Sequence, residues 1–265
     1  MSTDVGAYEP YVSFARRVAA EAGALIAESF LGTFEVGRKG ATNLVTDVDR
    51  RAEKLIVDAI GREYPSHAVV AEEGTAREGQ SGWRWYVDPL DGTNNFAHGY
   101  PMVAVSLALQ RDGAVVVGVV FDALRGEAFW AERGGGAECE AGRLEVSAVV
   151  ALADALVATG FPYDKHKSAV DNVANFSRVT KRVMGIRRGG SAALDLAYVA
   201  AGRLDGFWEL KLSPWDTAAG VLLVAEAGGE VSRVNGSAYV PGDVDVVATN
   251  GRIHEALCGF LKVEG

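Results

Sequence analysis

Residues 102–124, MVAVSLALQRDGAVVVGVVFDAL, constrain the fold more than any other stretch. They set two runs rich in β-branched residues on either side of Asp112-Gly113, a favoured hairpin dipeptide, and so predict two strands joined by a tight turn. Around this pair strand and helix patterns alternate. Residues 11–30 carry Phe14, Val18, Ala22, Leu25 and Ser29 at helical spacing, and a second helix follows VTDVD, with Val48, Ala52, Leu55, Ile56, Ala59 and Ile60 on one face. HAVVAEEG and WRWYVDP read as short strands ending in acids, and GEAFWAERGGGAECEAGRLEVS as two strands around a glycine-rich loop.

The second half opens near ADALVATGFPYD, a strand running into a loop, followed by a helix over about 168–182. GGSAALDLAYVAAG predicts a helix, RLDGFWEL a strand, and SPWDTAAGVLLVAEAGG a helix with strong start and stop signals. GEVSRV and VDVVATN give closing strands and GRIHEALCGFLK a terminal helix. There is no repeat at a fixed period. The pattern predicts a mixed α and β class with layered sheets and helices.

At 265 residues and 49% hydrophobic composition, the chain fits one large domain or two intimately packed halves around a sizeable core. Its 26 lysines and arginines against 35 acids, net charge -9, argue against a nucleic-acid surface. An acidic protein acting on an anion needs cations to reconcile the two. Cys139 and Cys258 have no partner spacing suited to zinc, and a reducing compartment is expected. The first residues show no basic-then-apolar leader, and no apolar run approaches the roughly 20 residues of a membrane span, so a cytoplasmic protein without membrane contact is expected.

The stretch WYVDPLDGTNNF sets Asp88 and Asp91 three apart around a proline, and Asp-Gly is a common turn dipeptide. Other acids also have innocent explanations. Thr46 to Asp49 and Ser213 to Asp216 both read as helix N-terminal capping boxes, the second with Pro214 at the first helical position. Glu72-Glu73 reads as a solvated loop. Taken together, though, Glu72, Asp88 and Asp91 fall at strand ends, where sheets gather ligand sites. Hard oxygen ligands from several segments suit magnesium. Pro89 stiffens the segment, Gly92 leaves room for a phosphate oxygen to approach the backbone, and Thr93 adds a hydroxyl.

Alternative motifs fail on spacing. An EF-hand counted from Asp88 would need glutamate where Gly99 stands, and no G-x-x-x-x-G-K-[ST] occurs. RGGGAE lacks dinucleotide-binding spacing. A phosphatase that forms an aspartyl-phosphate would want its two aspartates two apart after an N-terminal strand. His67, His98, His166 and His254 are scattered and read as surface or structural. Trp83, Trp85, Phe207 and Trp208 read as core, and Trp215 as packing that fixes Asp216.

The combination resembles the inositol monophosphatase family, within a wider group of lithium-sensitive, magnesium-dependent phosphatases that includes fructose-1,6-bisphosphatases. DPLDGTNNF matches its first signature, D-P-[IL]-D-G-T-x-N-F, and PWDTAAGVLLVAEAGG its second. LVTDVDR, AEEG, ATGFPYD and GGSAALDLAYVAAGRLDGFWEL extend the likeness over nearly the whole chain. The resemblance implies an α+β sandwich with layers in the order αβαβα, one catalytic domain over 1–265 with packed halves at roughly 1–150 and 151–265, and a homodimer.

It further implies two or three Mg²⁺ ions held by Glu72, Asp88, Asp91, Asp216 and the Leu90 carbonyl. By the same resemblance Asp49 and Thr93 orient and deprotonate the attacking water, with Glu72 counted among the catalytic residues and no covalent phosphoenzyme formed. Gly92 and Thr93 supply backbone donors to the phosphate, and Asp91 and Asp216 border the substrate. Gly190, Ser191 and Ala192 line the polyol site, and Glu209 accepts hydrogen bonds from ring hydroxyls. Lys39, in GRKGATN, lies near a mobile loop that approaches the metals in relatives. The chain departs from the family at AEEG, where many members carry serine or threonine after the acids.

The substrate so implied is a small polyol phosphate, inositol 1-phosphate first. Histidinol phosphate and fructose 1,6-bisphosphate are alternatives within the same group. A different class of role is a regulatory binding partner of the transcription machinery.

Overall fold

A computed structural model of the chain describes residues 6–40 and 43–263. The first five residues, which entered the reading of the N-terminus, and Ala41 and Thr42 of GRKGATN lie outside the described residues. The elements run α1 (Glu9–Ser29), β1 (Val36–Arg38), β2 (Leu44–Thr46), α2 (Asp47–Glu63), β3 (Ala68–Ala71), β4 (Trp83–Asp91), α3 (Thr93–Ala97), β5 (Ala104–Arg111) and β6 (Ala114–Asp122). They continue with β7 (Glu127–Glu132), β8 (Gly136–Cys139), β9 (Gly142–Arg143), β10 (Leu156–Thr159), α4 (Val173–Val179), β11 (Gly185–Arg187) and α5 (Ala192–Ala200). The last are β12 (Gly206–Leu210), α6 (Pro214–Glu226), β13 (Glu230–Ser232), β14 (Asp245–Thr249) and α7 (His254–Cys258).

The expected hairpin is β5–β6, antiparallel, at the centre of a seven-stranded sheet ordered β3-β4-β5-β6-β7-β8-β9. Only β3 and β4 pair parallel in that sheet. Its strands are apolar on both faces because both are covered. Trp85, Val87, Val105, Leu107 and Val119 pack with α1 and α2, while Tyr86, Ala104, Ala108, Val120 and Phe129 face α5 and α6. Helix α5, AALDLAYVA, is apolar nearly all round, as a helix between two sheets must be.

The second sheet has five strands ordered β11-β10-β12-β14-β13. Alternation along β12 splits its side chains, Phe207 packing inward against α5 and α6 and Trp208 outward with Val179 of α4 and Leu257 of α7. The layers therefore run helix, sheet, helix, sheet, helix, the αβαβα order expected. Trp85, Phe207 and Trp208 are fully buried, whereas Trp83 is half-buried at the sheet's edge.

Three expected elements are shorter than their patterns. The helix expected over 168–182 is confined to α4, because Asn172 takes a left-handed conformation (φ 70°) with its side chain bound inside the fold. The terminal helix covers five residues, α7, and stops at Gly259. The strand expected after the glycine-rich loop stops at Cys139 as β8, with only the two-residue β9 beyond it. The short pair β1–β2 and the strand β11 had no period long enough to read.

Candidate active site

The C-terminal end of β4 is where the site begins. Residues three apart on a regular strand point to opposite faces. Here Asp88 pairs with Ser106 and Asp91 with Ala104, so three residues of β4 span two of β5. This bulge returns both carboxylates to one face, the face that meets the middle helices. DPLDGT is thus a bulged strand end and not a simple turn. Pro89 has no N–H to leave unpaired, the Leu90 N–H donates to Asp88 at 3.0 Å, and the Leu90 carbonyl accepts the Thr93 hydroxyl at 3.1 Å. Gly92 follows at φ 96°, where an added Cβ would stand 2.6 Å from the Met102 carbonyl oxygen. No other residue fits that approach.

The remaining acids arrive on helix starts and a strand end. Asp216, in the first turn of α6, accepts the Ser213 N–H at 2.7 Å. Asp91 accepts the Ser191 hydroxyl at 2.6 Å and the Ala193 N–H at 2.8 Å, so it caps α5. Asp49 closes the capping box of α2, accepting the Thr46 N–H at 2.8 Å and the Thr93 hydroxyl at 2.7 Å. The capping explanations of Asp49 and Asp216 are therefore true, and they coexist with a site. The positive ends of three helices aim at the acids and partly offset their charge. Glu72 follows β3 directly, and its N–H donates to the Val87 carbonyl at 3.2 Å. Lys39, from the β1–β2 hairpin, donates to Glu72 at 3.0 Å and to Glu73 at 2.5 Å.

These residues meet in a cleft of about 230 Å³. Glu72, Asp88, Leu90, Asp91, Gly92, Thr93, Gly190, Ala192, Glu209 and Asp216 line it. Asp49 stands behind Thr93. Ser191, expected on the polyol site, is fully buried with its hydroxyl on Asp91, so it acts behind the wall. Glu209 lies opposite the start of the segment after β10, where a Cβ on Gly160 would come within 2.0 Å of its carboxylate.

Burial and mutual repulsion dominate the electrostatics. Asp88 is held well above the ordinary carboxylate range by burial, then by Glu72, Asp91 and Asp216. Asp216 is likewise raised by burial, then by Asp91 and Glu72. Asp91 is raised to about 6 by burial, against the bonds from Ser191 and Ala193. Glu209 is raised to about 8, burial outweighing the opposing pull of Arg188. Asp49 is raised by burial too, although Thr46 and Thr93 favour its anion. Among the described residues, no three His, Cys, Asp or Glu side chains stand gathered to chelate an ion as they are. The donor set nonetheless fits magnesium in kind: four acids lining one cleft, Asp88 fully buried among them, and one carbonyl, all hard oxygen, whose crowded charges a divalent cation relieves.

Several contributors were not read from the sequence. Glu53 of α2 accepts the N–H groups of Glu73 at 2.7 Å and Thr75 at 3.0 Å and so shapes the segment carrying Glu72. Asn95 donates to the carbonyls of Met102 at 2.8 Å and Gly189 at 2.9 Å, joining the two halves of the chain. Arg188 and Lys211 bring cations to the cleft, with Phe161, Pro162 and Tyr163 as a further wall. The pair of arginines before GGS was the available signal. His67 is buried, stacked on Trp83 and bonded to the Trp85 indole N–H, and His254 lies buried between Ser232 and Thr249. His98 and His166 are exposed. Trp215 lines the cleft beside Asp216.

Known proteins resemble this chain in sequence and in fold. The model of the inositol monophosphatase family matches residues 7–262. The Nus factor SuhB of Pseudomonas aeruginosa is 46% identical over 261 residues, covering 96% of each chain. An inositol-1-monophosphatase of Mesorhizobium japonicum is 43% identical over 249 residues, covering 93% of this chain and 94% of its own. The crystal structure of the extragenic suppressor protein suhB of Bartonella henselae superposes with TM-score 0.90 at 39% identity, covering 96% of this chain and 98% of that one.

Proposed function

This chain belongs to the inositol monophosphatase family, and on that premise we propose that it is a magnesium-dependent phosphomonoesterase hydrolysing inositol 1-phosphate to inositol and phosphate. One observation carries the reading: acids from β4, α6 and the end of β3 share a cleft with Glu209 and with Thr93, whose hydroxyl is backed by the buried Asp49 carboxylate. Glu72, Asp88, Asp91, Asp216 and the Leu90 carbonyl are the groups that would hold two or three Mg²⁺. When bound, the ions activate water, clamp the phosphate and stabilise the departing alkoxide.

The chain's own residues handle the proton and the orientation. The Thr93 hydroxyl donates to Asp49 at 2.7 Å, so a proton taken at the Thr93 oxygen passes on to a carboxylate whose burial raises its affinity for it. Glu209 and the walls at Gly190 and Ala192 receive the polyol, and Gly92 and Thr93 offer backbone N–H groups to the phosphate. The same reading takes the protein as a cytoplasmic homodimer. Both cysteines are free, and among the described residues no helix is long and apolar enough to cross a membrane.

The test is phosphate release, with Mg²⁺ and with EDTA, from inositol 1-phosphate, histidinol phosphate, fructose 1,6-bisphosphate and 3′-phosphoadenosine 5′-phosphate. Inositol 1-phosphate is expected to lead, and EDTA to stop the reaction. Glu209→Gln is expected to raise KM for inositol 1-phosphate roughly tenfold, about the worth of one hydrogen bond, with a smaller change in kcat. Another leading substrate removes the substrate assignment but not the metal site.

A second reading, a regulatory partner of the transcription machinery, is favoured by the name Nus factor carried by the relative 46% identical. It holds if a catalytically dead Asp88→Asn protein still supports the cellular phenotype of the parent.

A further inference from the structure

Lys211 sits between two groups of the site. It follows Glu209 by two residues and precedes the α6 start that presents Asp216. Its backbone is left-handed at φ 60°, a conformation that costs an L-residue and that glycine adopts freely. The Lys211 N–H donates to the Val244 carbonyl at 2.7 Å, so the surrounding sheet imposes this conformation. Strain of this kind gathers at functional sites.

The side chain has a defined task. Its ammonium group donates to both oxygens of Asp164, at 3.1 and 2.9 Å, and to the Ser168 hydroxyl at 2.7 Å. Those acceptors belong to the segment that leaves β10 and supplies Phe161, Pro162 and Tyr163 to the cleft wall. The base of that segment is rigid. Asn172 donates to the Thr159 hydroxyl at 2.9 Å and the Gly160 carbonyl at 2.6 Å, and accepts the Trp208 indole N–H at 2.9 Å, all inside the fold. The far part is exposed, Asp164 at 53% and Tyr163 at 51%. An exposed ion pair contributes little to global stability. It can still decide where one thin segment rests, since such segments open locally at small free-energy cost.

We propose that Lys211 is a positioning residue: by latching Asp164 and Ser168 it holds the Phe161–Tyr163 wall against the end of the cleft where Glu209 lies, and so sets affinity for the alcohol part of the substrate. Asp49, Thr93 and the acids sit on other elements and keep their places without it. The inference rests on the phosphomonoesterase reading for its kinetic consequence, and on the structure alone for its mechanical one.

The test compares Lys211→Gly, Lys211→Arg and Asp164→Asn with the parent protein. Lys211→Gly removes the latch at a backbone position that suits glycine, so the fold is expected to survive. In Lys211→Gly and Asp164→Asn, KM for inositol 1-phosphate is expected to rise roughly tenfold with kcat within about twofold, and the double variant to be no worse than either single one. Lys211→Arg, which keeps the cation, is expected to retain most of the parent affinity. Limited trypsin digestion read by mass spectrometry is expected to show cleavage after Lys165 and Lys167 at least about fivefold faster in Lys211→Gly, as local opening becomes easier.

Unchanged KM in both single variants overturns the proposal, as does faster cleavage with unchanged KM, which leaves only a structural tie. A fall in kcat matching the fall in kcat/KM also overturns it, by placing Lys211 in the chemistry. The kinetics are run on whichever ester of the panel the parent hydrolyses. If it hydrolyses none, the functional reading has failed separately, and equal cleavage rates would then overturn the latch.

Discussion

Asp88→Asn is expected to lower kcat/KM by at least about three factors of ten, since on the proposed reading it removes an anchoring ligand of an ion worth several kcal/mol in the transition state. The same substitution is expected to raise the melting temperature of the protein in EDTA. The two effects share one cause. Asp88 is buried, accepts the Leu90 N–H, and is crowded by Glu72, Asp91 and Asp216. An amide keeps the bond from Leu90 and removes the repulsion. A gain of 1 to 2 kcal/mol would appear as roughly 2–8 °C in a chain of this size.

The pH dependence has a definite sign. These acids bind protons more tightly folded than unfolded, so stability falls as pH rises above the ordinary carboxylate range. For Asp91 the window runs from its ordinary 3.8 to about 6. The advantage of Asp88→Asn should therefore be small near pH 4 and grow as pH rises, and Mg²⁺ should raise the melting temperature of the parent far more than that of the variant. Calorimetric scans at pH 4.5 and 7.5, each with Mg²⁺ and with EDTA, read all of this. An active variant, or one destabilised in EDTA at pH 7.5, would sink the metal assignment of Asp88. Asp91→Asn should share the loss of turnover without the gain, because Ser191 and Ala193 donate to Asp91 and lose a charged acceptor.

Much of this arrangement was legible because it is local. The hairpin at Asp112-Gly113, the amphipathic faces of α1 and α2, and both capping boxes depend on residues within one or two turns of each other. The residues of the candidate site were named from long signatures, not from spacing. Asp88 and Asp91 show why: their three-residue separation would divide them on a regular strand, and only the pairing of β4 with β5 reveals the bulge that unites them. What escaped was set by partners distant in sequence. Asn172 delays the helical pattern to Val173 because Thr159 and Trp208 hold it, and nothing near Lys211 in the sequence points to Asp164, 47 residues away. The three-residue strands β1 and β2 have no period, yet they carry Lys39 to Glu72 and Glu73.

Asp49→Asn is expected to lower kcat by 10² to 10⁴, roughly the range of a lost general base, with little change in KM. Here stability should move the other way. Asp49 is as buried as Asp88 and also raised, but its neighbours are donors: the Thr46 N–H and hydroxyl meet one oxygen, and the Thr93 hydroxyl meets the other. An amide has one acceptor oxygen, so its NH₂ must face at least one of these donors. The amide keeps its oxygen on Thr46 by turning its NH₂ to the Thr93 hydroxyl, which then donates to the Leu90 carbonyl at 3.1 Å, so the loss is that of a charged acceptor, about 1 kcal/mol whether or not Mg²⁺ is present. Thermal scans of Asp49→Asn in Mg²⁺ and in EDTA should show similar drops, while added Mg²⁺ still raises the melting temperature, because the acids of the cleft are untouched. Loss of that response would make Asp49 part of the ion site, and retained turnover would remove it from the proton path. Two buried aspartates with pKa values displaced in the same direction would then be told apart by what surrounds them, acids around Asp88 and donors around Asp49.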